Sequence, residues 1–247
     1  MQKLPDNVRI EEDEDISPFI RGKISIIQKK KGYRFNVDSL LLVSFVNLSP
    51  SKVVIDIGTG SGIIPLLLNL KIPKLKLYGL EVQESMFSLA KKNFILNSLN
   101  AELRLGDVKD VRDIFQSGFF DCVITNPPYF HQGSVERAQV LATFGDFVKA
   151  ASYLLKNKGK FYYIFPVSSF IESLETVKKY RLQPKRIRFV HPSIMEKATH
   201  FMVECLKSGK EGGEIVEKPL IMYENPKEKR YTQEAWNLLE NFPDVLE

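Results

Sequence analysis

The chain has 247 residues, 44% hydrophobic and 26% charged, with a formal net charge of +5, a composition that supports a sizeable core and excludes wholesale disorder. No uncharged apolar run approaches the roughly 20 residues of a membrane-spanning helix, and the opening MQKLPDNVRIEEDED lacks the apolar centre of a signal peptide. Two cysteines, Cys122 and Cys205, and three histidines, His131, His191 and His200, exclude a disulfide framework and a structural zinc site, so a soluble, cytoplasmic, metal-free monomer is expected.

Residues 1–50 are read as an N-terminal extension packing on the core. They hold an acidic run (11–15), an apolar ISIIQ (24–28), a basic KKK (29–31) and FNVDSLLLVSFV (35–46), which reads as a short helix. Residues 51–247 read as the main domain, the two forming one compact unit. From residue 53, short apolar runs alternate with longer amphipathic ones, the signal of βαβ units. VVIDI (53–57), KLYGL (76–80), ELRLG (102–106), DCVIT (121–125) and KFYYIF (160–165) predict strands, as do 185–190 and 199–206, joined by HPSIMEKA. Helical spacing marks 83–97 and 147–155, with Gly159 as the stop after the second. Residues 214–224 read as a strand interrupted by Pro219, and 232–242 as a closing helix. The expected fold is α/β: a Rossmann-like, seven-stranded, mostly parallel sheet with helices on both faces.

The first chemical motif is VVIDIGTGSG, with Gly58, Gly60 and Gly62 between a strand and an apolar helix. Such glycines let the main chain approach a ligand closely, and the helix start offers free donors. Dinucleotide-binding proteins also carry a glycine loop, but the Gly-x-Gly-x-Gly spacing is one residue shorter than theirs. Asp56, just before the loop, would repel a pyrophosphate and suits a cationic amino-acid ligand. Glu81, about twenty residues on, can accept both hydroxyls of a ribose or cap the helix near Gln83. Asp107 can receive the amino group of an adenine or act as a simple helix cap. Val82 and Val108 follow these carboxylates and are placed with them. Together these residues describe one ligand that joins an amino acid to adenosine.

The second motif is Asn126-Pro127-Pro128-Tyr129, directly after a strand. Consecutive prolines stiffen the backbone at the strand end. The Asn126 side-chain oxygen and the Pro127 carbonyl are acceptors that can hold both protons of a conjugated amino group and stabilise the positive charge it develops. Tyr129 can stack on the ring bearing that amine. An ordinary Pro-rich turn is the alternative, disfavoured by the glycine loop.

DIGTGSG and NPPY together resemble the class I S-adenosylmethionine-dependent methyltransferases that act on amino groups. IIQKKKGYRFNVDSLLLVSF, QPKRIRFVHPSIMEKATHFMVECLKSGKEGG and KPLIMYE narrow the resemblance to the bacterial tRNA1(Val) adenine N6-methyltransferase family, whose members modify the adenosine just 3′ of the anticodon. The resemblance spans residues 20–235. It implies that Asp56, Gly58, Gly60 and Gly62 hold the methionine portion of S-adenosylmethionine, Glu81 its ribose and Asp107 its adenine. It places Asn126, Pro127, Pro128 and Tyr129 around the target base and Asn126 also against the cofactor. Asp38 matches an acidic position near the cofactor in related RNA methyltransferases, and a helix cap explains it as well. Where many relatives carry an Arg-His-Glu-like segment, this chain has Ala142-Thr143-Phe144.

Charge divides unevenly: residues 151–210 carry +8 and residues 211–247 carry −5. The excess concentrates in KKYRLQPKRIR (178–188), which reads either as a solvated helix end or as a surface for a phosphate backbone. With tRNA as the implied partner, Lys178, Lys179, Arg181, Lys185, Arg186 and Arg188 are the expected phosphate contacts, together with Lys29, Lys30, Lys31 and Arg34. The competing activities are glutamine methylation of a release factor, whose NPPY loop grips an amide in the same way, and methylation of another RNA amino group. An inactive nucleic-acid-binding module of the same fold is disfavoured by the intact motifs.

Overall fold

The computed structural model describes residues 4–5, 8–30, 37–128, 142–225, 227–228 and 230–243. In chain order, an antiparallel hairpin of β1 (Glu14–Phe19) and β2 (Ile24–Lys29) precedes α1 (Val37–Phe45). The acidic run therefore leads into a strand that its charge conceals: Glu14 is buried between Lys29 and Lys92. Next come β3 (Val53–Ile57), α2 (Ile63–Lys71), β4 (Lys76–Glu81), α3 (Glu84–Leu96) and β5 (Ala101–Leu105). A single turn, α4 (Val111–Ile114), leads to β6 (Phe120–Thr125), α5 (Phe144–Leu154) and β7 (Leu155–Pro166). Then follow α6 (Phe170–Lys179), β8 (Leu182–His191) and β9 (His200–Lys207). Short strands β10 (Ile215–Val216) and β11 (Leu220–Ile221), the hairpin β12 (Tyr223–Asn225) with β13 (Arg230–Tyr231), and α7 (Gln233–Glu240) complete it.

The seven expected strands form the sheet in the order β5-β4-β3-β6-β7-β9-β8, and only β9 runs against its neighbours. Both β10 and β11 extend the edge, each parallel to β8, so the Pro219 segment supplies two short strands rather than one. α1, α2 and α7 cover one face around Leu40, Leu67 and Ile164; α5 and α6 cover the other around Phe147, Val177 and Phe201. α6 escaped the sequence reading because only Ser173 and Val177 on it are fully buried.

Gly159 does not stop a helix. α5 passes straight into β7 at Leu155, and the pairing of β7 with β6 jumps from Phe120↔Leu155 to Cys122↔Lys160. The extra residues bulge out with Lys158 at φ 64°, and a Cβ on Gly159 would come within 2.9 Å of the Lys156 carbonyl. The glycine is needed for this close approach.

The N-terminal hairpin docks through an unusual edge. Asn93 and Asn97, one turn apart on the same side of α3, stand in for a third strand beside β2. Asn93 Oδ1 accepts from the Ile27 N–H at 2.7 Å while its Nδ2 donates to the carbonyls of Ile27 (3.0 Å) and Ser61 (2.9 Å). Asn97 repeats the pattern on Ser25, at 3.0 and 2.8 Å. Asn93 is fully buried, so Asn93→Ala leaves three backbone groups without partners. A loss of about 3 kcal/mol is expected, read from the urea midpoint; Ser88→Ala, also on α3, serves as the control and should shift the midpoint little.

Candidate active site

Parallel strands end at one edge of the sheet, so residues following β3, β4, β5 and β6 meet there although they are distant in sequence. The loop after β3 carries Gly58, Gly60 and Gly62 at φ 76°, 56° and 82°. It is stitched to the end of β4: Gly58 and Thr59 donate to the Leu80 carbonyl at 2.8 and 3.0 Å, and Gly60 donates to Glu81 Oε2 at 2.8 Å. Glu81 Oε1 accepts from the N–H groups of Val82 and Gln83 at 3.0 and 2.9 Å, so this carboxylate steadies both the loop and the start of α3. A Cβ on Gly62 would lie 2.5 Å from the Phe94 ring, whereas one on Gly60 would meet only Met86 Cε at 3.8 Å. The loop is thus packed hard on α3 and bare on its outer side.

Asp56 is 1% exposed. Its Oδ2 accepts from Thr59 Oγ1 at 2.6 Å, and its Oδ1 has no hydrogen-bond partner among the described residues. Burial pushes this carboxyl up to about 7; the Thr59 hydroxyl opposes the shift and the charge of Glu81 adds to it. A buried, half-satisfied carboxylate beside a bare glycine loop is completed by a cationic ligand group. Val82, 37% exposed, offers apolar surface for a flat ring, with Val108 buried nearby. Asp107 fills its capping role, accepting from the Lys109 N–H at 2.9 Å and lying 3.2 Å from Lys109 Nζ. The chemistry of these residues is compatible with S-adenosylmethionine: Asp56 and the loop would hold its ammonium end, Glu81 would face its ribose, and Val82 and Asp107 would face its adenine. When bound, that cofactor supplies an electrophilic methyl group on a sulfonium.

The strand β6 delivers the second half of the site. Thr125 Oγ1 donates to the Ile57 carbonyl at 2.8 Å, fixing β6 against β3 at the very edge. Beyond it Asn126 is half-buried, Pro127 buried and Pro128 exposed. Asn126 Nδ2 donates to Ser39 Oγ at 3.2 Å, so the first turn of α1 touches the tetrapeptide. Asp38, in the same turn, is buried. Tyr129, His131, Lys31 and Arg34 lie outside the described residues. Phe165, two residues past the Thr125↔Tyr163 pairing, stacks on Phe144 with centroids 4.7 Å apart, forming an aromatic wall at this edge. Ser39, Thr59 and Phe165 were not singled out in the sequence. Only the placing of Asp38-Ser39 at the start of a largely apolar helix hinted at the first.

The basic stretch falls elsewhere. α6 ends where β8 begins, at the amino edge of the sheet, so Lys178, Lys179 and Arg181 lie toward the edge opposite Asn126, which follows the carboxyl end of β6. The remaining charges of the run are engaged within the chain. Lys185 Nζ donates to the carbonyls of Lys210 and Gly212. Arg186 stacks over Phe45 and pairs at 2.7 Å with both Glu204 and Glu217; Arg188 pairs at 2.6 Å with Glu234. Two cations of the positive segment, Arg186 and Arg188, are therefore met by carboxylates of the negative one that follows it. Lys29 pairs with Asp13 at 2.9 Å and Lys30 donates to the Glu12 carbonyl, but their strand leads toward α1 and the site. His191 Nδ1 lies 2.9 Å from the Glu196 carbonyl in the β8–β9 turn. Cys122 and Cys205 are fully buried, and burial pushes both thiols up, leaving them inert core residues.

Strand order, the single reversed strand and a glycine loop set over buried carboxylates define the class I methyltransferase fold. The chain belongs to the methyltransferase small domain family, whose model matches residues 32–183. A tRNA1(Val) (adenine(37)-N6)-methyltransferase from a Flavobacteriaceae bacterium is 27% identical over 61% of this chain and 67% of its own length. One of the same description from Vibrio campbellii is 26% identical over 71% and 80%. A release factor glutamine methyltransferase from Flavobacterium psychrophilum is 26% identical over 59% and 55%. Among solved structures, a predicted O-methyltransferase from Agrobacterium tumefaciens superposes with a TM-score of 0.68 at 23% identity, covering 81% of this chain and 94% of that one. TrmN from Thermus thermophilus gives 0.51 at 18% identity, covering 68% and 47%. No helix among the described residues is long and apolar enough to cross a membrane.

Proposed function

We propose that this chain is a cytoplasmic, monomeric, metal-independent enzyme that methylates the exocyclic N6 of an adenine in tRNA, the adenosine just 3′ of the anticodon of tRNA1(Val). The observation that carries the reading is the acceptor pair at the end of β6, beside a loop that fits an adenosyl amino acid. Asn126 Oδ1 and the Pro127 carbonyl hold the two amine protons and stabilise positive charge on the nitrogen as it is alkylated. One proton then leaves to water. Tyr129 and the Phe144–Phe165 wall stack on the base, which has to be unpaired for its amine to be reached. The names carried by the Flavobacteriaceae and Vibrio relatives support adenine in tRNA as the substrate.

The test is to incubate the protein with radiolabelled S-adenosylmethionine, total tRNA and a purified release factor, and to identify which of them, and which nucleoside or side chain, gains the label. N6-methyladenosine is expected; label in a release factor with tRNA left unlabelled would transfer the case to glutamine methylation, the reading that the Flavobacterium psychrophilum relative favours. For the RNA surface, Lys30, Lys31 and Arg34, from the run that precedes α1 in sequence, are assigned phosphate contacts, whereas Lys29 is held by Asp13 and Glu14. Lys30→Glu with Lys31→Glu should weaken tRNA binding about ten-fold or more at moderate salt. The pair Lys178→Glu and Lys179→Glu, on the far edge, should weaken it less. The reverse ranking in a filter-binding titration would restore the 178–188 stretch as the principal contact.

A further inference from the structure

β7 runs parallel to β6 and antiparallel to β9, which is antiparallel to β8, so the carboxyl ends of β6, β7 and β8 share one edge. The registers carry the β8–β9 turn past the level of Asn126: Thr125 faces Tyr163, whereas His200 faces both Pro166 and Val190. Along that edge β8 stands three strand spacings from β6, about 14 Å. The three most exposed large apolar side chains among the described residues gather here. Met195 (90%) and Ile194 (79%) occupy the turn, and Ile171 (65%) lies in the first turn of α6, just after β7. Single exposed apolar residues are ordinary; three along the edge that carries Asn126 are not. The turn that presents two of them is firmly built. Ser193 is buried, its Oγ donates to Glu196 Oε2 at 2.8 Å and its carbonyl accepts from the Glu196 N–H at 3.1 Å. The Thr199 N–H donates to the Val190 carbonyl at 2.9 Å, and its carbonyl accepts from the Val167 N–H at 3.0 Å, tying the turn to the end of β7. The one carboxylate of the turn is thus held by Ser193, while Lys197 is exposed. Between the turn and Asn126 stands the Phe144–Phe165 stack, so apolar surface follows the edge from one to the other.

We propose that Ile194 and Met195 form an apolar wedge that packs on the flat face of an unpaired nucleobase near the target adenine and keeps the target out of its stack. The proposal rests on the reading of tRNA as the substrate. A base drawn out of a stack bares the face of its neighbour, and aliphatic side chains such as Ile and Met cover such faces. The cation beside the pair, Lys197, suits the adjoining phosphates. Contact through a base's face reads no hydrogen-bonding edge, so the wedge tolerates any base at that position. Its effect comes from burial of apolar surface and not from charge.

The experiment pairs single-turnover methyl transfer to an anticodon stem-loop RNA with binding of the same RNA carrying 2-aminopurine at the target position, whose fluorescence rises when the base leaves its stack. Ile194→Ser with Met195→Ser should lower the transfer rate about ten-fold and remove most of the fluorescence rise. S-adenosylmethionine affinity should stay within about two-fold, and the slope of log RNA affinity against log salt should not change. Ile215→Ser with Val216→Ser, nearly as exposed but beside the middle of β8, is the control and should leave transfer within about two-fold. Transfer by the first pair within about two-fold of wild type would overturn the proposal. So would an equal loss in the control, a changed salt slope, or lost transfer with the fluorescence rise intact. A wild type that labels a release factor and no tRNA is the separate signature of a failed functional reading. Loss of that labelling in the first pair would then make the turn a protein-docking surface and overturn the wedge.

Discussion

Asn126→Ala is expected to lower methyl transfer by about 10³-fold while leaving cofactor affinity within about three-fold. The asymmetry follows from where the residue stands. Its side chain reaches from β6 to Ser39 on α1, whereas the groups that fit the cofactor's ammonium and ribose ends come from β3 and β4. Removing the amide deletes an acceptor that is needed as positive charge grows on the amine, an interaction stronger in the transition state than in the ground state. Single-turnover rates with labelled donor, set beside isothermal titration of S-adenosylmethionine, separate the two quantities. A collapse of cofactor affinity with the rate would show that Asn126 belongs to the cofactor site and would remove its catalytic assignment.

The second large effect concerns Asp56. Its carboxyl is raised to about 7 in the ligand-free fold by burial, from a reference value of 3.8. The folded state therefore holds a proton that the unfolded chain releases, and the sign follows: stability falls as pH rises from about 4 and levels off above 7. The upward shift corresponds to about 4 kcal/mol between those limits. Asp56→Asn should accordingly stabilise the ligand-free protein at pH 8 by a few kcal/mol and much less at pH 4–5, read from urea midpoints at the two pH values. The same variant should weaken S-adenosylmethionine binding at least about 100-fold, since a neutral amide cannot pair with the buried ammonium. Binding to the wild type near pH 7 should also release protons, because a cation beside Asp56 favours its ionised form. Titrations in buffers of different ionisation heats would then give different apparent enthalpies. A variant that is no more stable than wild type at pH 8 would contradict the raised carboxyl.

The chemistry that the sequence displays is the chemistry that lies close together along the chain. Glycine spacing, Asp56 before it and the Asn-Pro-Pro run after a strand are readable because backbone stiffness and acceptor type are set within a few residues. The strands were equally legible, since Val54, Ile55, Val123 and Ile124 are wholly buried and leave continuous apolar runs. What the sequence hid depends on partners far away. Nothing near Arg186 announces Glu204 and Glu217, so a cluster of cations reads as an RNA surface although the tertiary fold turns part of it inward. Glu14 looks solvated until Lys92, on a helix beyond the glycine loop, is brought against it. Gly159 reads as a helix stop because a bulge between neighbouring strands leaves no local mark. Ser39 becomes meaningful only when α1 is laid beside β6.

The asparagine ladder on α3 also sets a timetable for the chain's birth. Ile27 leaves the ribosome 66 residues before the Asn93 that satisfies its backbone. At about 5–20 residues per second, its edge waits roughly 3–13 s for that partner. The hairpin's other attachment comes later still: Arg21 pairs with Glu240 and Lys23 donates to the Phe242 carbonyl, contacts spanning 219 residues. The hairpin is thus secured in two stages: its backbone edge is covered once Asn93 and Asn97 have been made, and its turn is anchored only when residues 240–242 have followed.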